Sequence, residues 1–416
     1  MPTILNLPTE LLGLVSTELS LDDICNLLLT CKRLYNGPLP QYARNRFGTV
    51  CVILDQHSLD FLHQVIRRPI FAHAVHRLVI CSDHLSHADY SHSLQQPPGH
   101  GEDNANTDST ISFHPDEYSK RLASQTRLIK TDMATKCLAR VLRGLPNCTA
   151  IAFSDGDEHD PIGRSRLERD IGVPPLRSLV VDVDDAHPES VIEESKEIVS
   201  DAITTLLLAA ARSGLSGLQF EIPLGLPYHE EFIDAVTSDM LSLLTTRDEI
   251  HKADLANISM LRLVVYATRN ETWISDTIEF IALFSQLTHL RLHFKNRGED
   301  RASGSLCRRL NVNNLHELEL SRLIVTESEL MDVLLRHQKS LKHVTLEQIE
   351  FDTPEGWPSF LSRAKDELSS CTFILEDCLI ESDFWDTSYR ISSTDDYARV
   401  INDFTVGLTS SNMEEE

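Results

Sequence analysis

At 416 residues with 41% hydrophobic content, the chain can hold one large domain or two to three smaller ones. Its net charge of −25 argues against nucleic acid or an anionic membrane as a partner, because either would need a large basic surface. The sequence offers no apolar run of about 18 residues, no basic flank leading into an apolar core at its start, and nine scattered cysteines without a C-x-x-C. These features predict a chain without a membrane span or secretory signal, its thiols reduced in the cytoplasm or nucleus.

The first elements lie between Leu5 and Tyr35, LNLPTELLGLVSTELSLDDICNLLLTCKRLY. Pro8 and Glu10 suit the first turn of a helix, where proline needs no NH partner and a carboxylate complements exposed NH groups. Leu11, Leu12, Val15 and Leu19 follow along one face. Ser20 and Asp23 form an S-x-x-D cap for a second helix, whose Ile24, Leu27, Leu28 and Cys31 recur at helical spacing. Two stripes in so short a segment cannot bury one another, so they need a partner surface.

The run Leu7-Pro8-x-Glu10-Leu11-Leu12, followed by Leu27-Leu28 and Cys31-Lys32-x-Leu34-Tyr35, resembles the F-box. Gly13 is a mild departure that loosens the first helix. The resemblance implies docking on a Skp-type adaptor, itself held by a cullin, through Leu7, Pro8, Leu11, Leu12, Val15, Leu19, Ile24, Leu27, Leu28 and Cys31. A third short helix is expected over NGPLPQYARNRFG, so that residues 1–48 form the F-box, and CVILD at 51–55 reads as a strand.

From about residue 58, helical stretches alternate with segments of the form L-x-x-L-x-L. Their apolar triplets are Val75/Leu78/Ile80, Cys148/Ile151/Phe153, Leu176/Leu179/Val181, Leu215/Leu218/Phe220, Ile258/Leu261/Leu263, Leu287/Leu290/Leu292, Leu315/Leu318/Leu320, Leu341/Val344/Leu346 and Leu368/Cys371/Phe373. The later ones recur every 26 to 29 residues, as a repeat would. Each L-x-L reads as a strand with one buried side, and a following helix such as 326–338 covers it. One such unit cannot bury its apolar face alone, so neighbours must stack.

This pattern resembles the leucine-rich repeat, in the irregular form found behind fungal F-boxes. It implies an α/β solenoid over residues 49–404, with a parallel sheet on the concave face and helices outside. The asparagine of the standard repeat is missing; Lys295 and Arg322 stand near its place, so the turns must differ. An α/β sheet without true repeats is the competing architecture. Loops that interrupt the pattern are expected at 82–118, as a mobile segment, and at 154–175, with a disordered acidic tail at 405–416.

Between the strand leucines lie Arg262, His289, Arg291, His293, Glu317, Glu319, Thr345 and Glu347. On adjacent strands about 5 Å apart they would set a basic row beside an acidic one, suited to reading a charged segment of a protein substrate. The same residues would serve equally as a solvated sheet face. His84, His87, His92 and His100 sit without a cysteine or carboxylate at fixed spacing, so no metal is expected there. The acidic run 155–160 lacks the glycine and glutamate of a calcium loop, and no nucleotide-binding or hydrolase motif occurs. No cofactor and no catalytic residue is expected. The F-box resemblance implies a non-catalytic substrate adaptor of a ubiquitin ligase; the alternative is a repeat scaffold whose N-terminal helices cap the stack.

Overall fold

A computed structural model of the protein describes residues 4–87, 90–91, 113–155, 161–175, 189–224, 235–267, 272–295, 302–353, 356–378, 388–391 and parts of 393–401. It divides into two compact units, residues 1–178 with 201–215, and residues 179–200 with 216–416.

The first unit opens with a 3-10 turn at Ile4–Asn6 and four short helices, α1 (Thr9–Thr17), α2 (Leu21–Leu28), α3 (Lys32–Asn36) and α4 (Leu39–Phe47). There follow β1 (Thr49–Ile53), α5 (Gln56–Ile66), α6 (Pro69–Ala72), β2 (Arg77–Cys81), α7 (Pro115–Lys130), α8 (Met133–Arg143), β3 (Ala150–Ser154) and α9 (Arg164–Ile171). Helix α10 (Glu189–Ser213) contributes residues to both units.

Strands β1, β2 and β3 pair in parallel, with Val52 against Ile80 and Ile80 against Phe153. Their sequences are nearly continuous apolar runs, as strands buried on both faces require. One face packs Cys51, Ile53, Val79, Cys81 and Ala152 against Tyr118 and Leu122 of α7 and Leu167 and Ile171 of α9. On the other, Val50, Val52, Leu78, Ile80, Ile151 and Phe153 are equally buried. An open concave face therefore does not extend over these strands.

Three expectations change here. The boundary anticipated at residue 48 is not where the units divide, because Phe47 of α4 stacks on Phe71 of α6 at 4.7 Å and β1 starts at Thr49. The 82–118 segment is ordered at both ends. Ser82, Asp83, His84, Leu85 and Ser86 are buried and α7 begins at Pro115, while 92–112 lies outside the described residues. Within the loop expected at 154–175, α9 forms between Gly163 and Gly172, both at positive φ. Arg164 anchors it by pairing with buried Asp83 at 3.4 Å and with Glu168 at 3.1 Å.

The second unit contains β4 (Leu218–Ile222), α11 (Ser238–Thr245), α12 (Asp248–His251), β5 (Ile258–Val265), α13 (Thr272–Ala282), β6 (His289–Phe294), α14 (Ala302–Arg309) and β7 (Glu317–Ser321). It continues with β8 (Ile324–Val325), α15 (Glu327–His337), β9 (His343–Glu347), β10 (Glu350–Phe351), α16 (Gly356–Glu367), β11 (Thr372–Glu376) and β12 (Ser388–Ile391). Its sheet runs β4-β5-β6-β7-β9-β11 in parallel and closes with antiparallel β12. The main helices α11, α13, α14, α15 and α16 pack on one another in chain order. Except for 176–181, which lies outside the described residues, and Cys371, which immediately precedes β11, the L-x-L segments anticipated from the sequence sit in strands.

Register aligns the apolar positions. Leu261, Leu290, Leu318, Val344 and Phe373 form one row across five strands, and Leu263, Leu292, Leu320, Leu346 and Leu375 form a second. All ten side chains are buried. The turn that replaces the asparagine is visible too. Arg322, Gln348 and Asp377 each follow the last residue of a strand at positive φ, 63°, 51° and 48°. The amides of Arg322 and Gln348 still donate to the next strand, to the carbonyls of Glu347 and Glu376. A left-handed residue thus swings the chain out of the sheet while the ladder is kept. The Thr326–Glu329 capping box then starts α15.

Valine is poorly tolerated in left-handed backbone, whereas glycine is not. Gln348→Val is expected to lower stability by about 1–2 kcal/mol in urea unfolding. Gln348→Gly should leave it unchanged or slightly higher.

Candidate functional site

Two surfaces carry functional side chains, one on each unit. In the first, Leu12, Ile24, Leu34 and Ala43 form the small core of α1 to α4. Gly37 allows this packing, since a Cβ there would sit 3.1 Å from Leu12 Cβ. Ser20 caps α2 by accepting from the Asp23 amide at 3.2 Å, and Arg33 donates to the Leu7 carbonyl at 3.0 Å, tying α3 to the entering chain.

So small a core leaves apolar residues outside. Of the nine large hydrophobic side chains exposed among the described residues, seven lie between Ile4 and Tyr35. Leu29 is 85% exposed, Leu14 63% and Leu11 44%. Among the ten residues predicted for adaptor docking, Pro8, Leu11, Val15 and Cys31 are exposed, and Leu7, Leu19, Leu27 and Leu28 are half-buried. Leu12 and Ile24 are a correction: they are the bundle's own core, 1% and 0% exposed, and cannot present a docking face. Ile4, Leu5, Leu14, Leu29 and Tyr35 belong to the exposed set and were not predicted. Their signal was available, since Leu14 and Leu29 fall off the stripes that fill the core and so must point away from it.

On the second unit the sheet face opposite the helices carries all eight residues predicted for substrate contact, each half-buried. Register places Arg262, Arg291, Glu319 and Thr345 in one row across β5, β6, β7 and β9. His289 and Glu317 share a second row, and His293, Ser321 and Glu347 a third. The basic and acidic strands do lie side by side, and they pair with each other. Arg291 meets Glu319 at 3.2 Å, His289 meets Glu317 at 3.4 Å, and Ser321 donates to Glu347 at 2.7 Å. Burial raises the Glu319 carboxyl above the usual range, opposed by Arg291 and Arg262. Burial also drives His293 down to about 4, helped by Arg322, Arg262 and Lys295 against the pull of Glu347.

Of the remaining candidate histidines, His87 is exposed. His84 is buried with Nδ1 2.8 Å from the Ser82 carbonyl oxygen, and His92 and His100 lie outside the described residues. Among the described residues no group of His, Cys, Asp and Glu is placed to hold a metal ion, and no helix is long and apolar enough to cross a membrane. All nine cysteines are free thiols, six of them buried.

Comparison with known families matches one segment of the chain. An F-box domain is found at residues 4–36, the span that matches the family's description. F-box domains bind Skp-type adaptors, and they imply an adaptor role in SCF-type ubiquitin ligases, whose F-box subunits are generally non-catalytic. No curated protein matches the chain.

The His293 environment gives a pH dependence. Unfolded, its imidazole takes up a proton near 6.5; folded, only near 4. Between these values the unfolded state binds more protons, so stability falls as pH drops through that window. His293→Gln is expected to remove about 2 kcal/mol of the loss between pH 7 and pH 5, read as a flatter dependence of the urea midpoint on pH.

Proposed function

We propose that this protein is the substrate-recognition subunit of an SCF-type ubiquitin ligase. Residues 4–36 dock on the Skp-type adaptor, and the sheet face of the second unit holds a protein substrate. The chain performs no bond chemistry itself; it acts by proximity, keeping a substrate lysine near a ubiquitin-charged enzyme. The observation that carries this reading is the exposed apolar surface of α1 to α3. Seven large apolar side chains uncovered on one short segment are what a docking face requires, and what a helical cap that only shields a stack would avoid.

The second unit is read as an irregular leucine-rich-repeat solenoid. Its support is the recurrence of strand, left-handed residue and covering helix, and the two aligned rows of buried side chains. Thr345 and the ion-paired residues on the opposite face offer a patterned polar surface to an extended segment.

The test is co-elution of the full chain with a Skp-type adaptor on a sizing column. Leu11→Asp combined with Leu29→Asp changes two exposed side chains and leaves the core of α1 to α4 intact. A one-to-one complex is expected for the unaltered chain, with binding weakened at least about 100-fold in the double variant, since desolvated anchors dominate such interfaces. Leu243→Asp, exposed on α11, should bind like the parent chain. Equal binding by the double variant would sink the adaptor reading in favour of a repeat scaffold.

A further inference from the structure

The acidity of the chain is segregated. Between residues 24 and 82 there are seven Lys and Arg and only two acids, Asp55 and Asp60, and residues 133–149 hold Lys136, Arg140 and Arg143 with no acid. All the rest of the chain must therefore carry more than its formal −25.

Six of these ten cations lie on neighbouring, mutually packed elements of the first unit. Arg44 and Arg46 lie in the last turn of α4, next to Phe47. Phe47 stacks on Phe71, and the Arg68 guanidinium lies 5.9 Å from the Phe71 ring centroid. Arg67 follows Ile66, whose side chain closes on Gly144 so tightly that a Cβ there would sit 2.9 Å away. Arg143 and Arg140 precede Gly144 in the last turn of α8, and Asn147 fastens the following loop by donating to the His73 carbonyl at 2.7 Å. All six arginines are exposed. Among the described residues none of the six forms an ion pair, in contrast to Arg291, which is already matched. Of the two acids nearby, Asp55 is spent capping α5, and Asp60 accepts from Gln56.

We infer that this surface, formed by Arg44, Arg46, Arg67, Arg68, Arg140 and Arg143, docks an acidic segment of a partner protein. Like charges gathered without counter-charges repel one another, and an anionic partner relieves this. Arginine forks match carboxylates in bidentate pairs. Polypeptide is favoured over nucleic acid for two reasons. The aromatic rings here are engaged with each other, Phe47 with Phe61 and Phe71, and offer no stacking platform for bases. A long polyanion would also have to run past the acidic remainder of the chain, whereas a short acidic segment fits within the patch. The inference does not depend on adaptor docking, which uses the apolar side chains of α1 to α3.

The test measures binding of a fluorescein-labelled twelve-glutamate peptide to the full chain by anisotropy, at low and at physiological salt. The expected result is binding that weakens steeply with salt. R44E/R67E/R140E should lose at least about tenfold in affinity and the neutral R44Q/R67Q/R140Q an intermediate amount. K339E/K342E, exposed on the second unit and outside both proposed binding surfaces, should bind as the parent does. The inference is overturned if the charge-reversed arginine variant binds the peptide unchanged or if K339E/K342E is the one that loses it. Tighter binding of a single-stranded DNA dodecamer than of the peptide would overturn it too. So would low-salt self-association that competes with the peptide, which would assign the face to a second copy of the chain.

Discussion

The second unit depends on lateral stacking of side chains that no single strand–helix pair can bury. Each strand contributes two aliphatic or aromatic side chains to the helix side, and the register is such that five strands align them into two unbroken rows. A slip of one residue in any strand would turn its leucines onto the polar face and its charges into the core. Register, helix placement and the position of the charged face are thus fixed together. The left-handed residues at 322, 348 and 377 take the chain out of the sheet at the same point after β7, β9 and β11.

This explains what was legible in the sequence. A period-2 pattern recurring at a near-constant interval placed the strands from Ile258 to Phe373, and alternation placed Arg262, His289, Arg291 and Glu319 on the face away from the helices. The S-x-x-D cap at Ser20 and the helices after it were equally readable. Other features were hidden because they depend on contacts distant in sequence. The order at 82–86 comes from Tyr118, whose hydroxyl bonds to Ser86, and from Arg164 reaching Asp83, and no local periodicity announces either. Leu12 and Ile24 read as docking residues because a stripe shows which residues share a side. It does not show which part of that side the small bundle keeps for itself.

The two units handle their sheets differently, and composition decides which way. Strands β1 to β3 are apolar at almost every position, so both faces must be covered, and α7 and α9 supply the second layer. Strands β6, β7 and β9 alternate strictly and leave one face polar. Among the described strands, only those of the second unit are therefore able to present a continuous polar surface.

The charges on that polar face set how a substrate could be held. Arg291 with Glu319 and His289 with Glu317 already satisfy one another at 3.2–3.4 Å. Partly exposed pairs of this kind are worth only about 0.2–1 kcal/mol each, so exchanging such a pair for one with a ligand gains little affinity. What a ligand gains is selectivity, since a segment with the wrong charge order leaves half-buried Glu319 or Arg262 unmatched. Burial makes that mismatch costly, as the raised Glu319 and the depressed His293 both show. Were this face to hold a substrate, as proposed, it would discriminate by charge order, and the affinity of the complex would have to come from apolar anchors on the substrate.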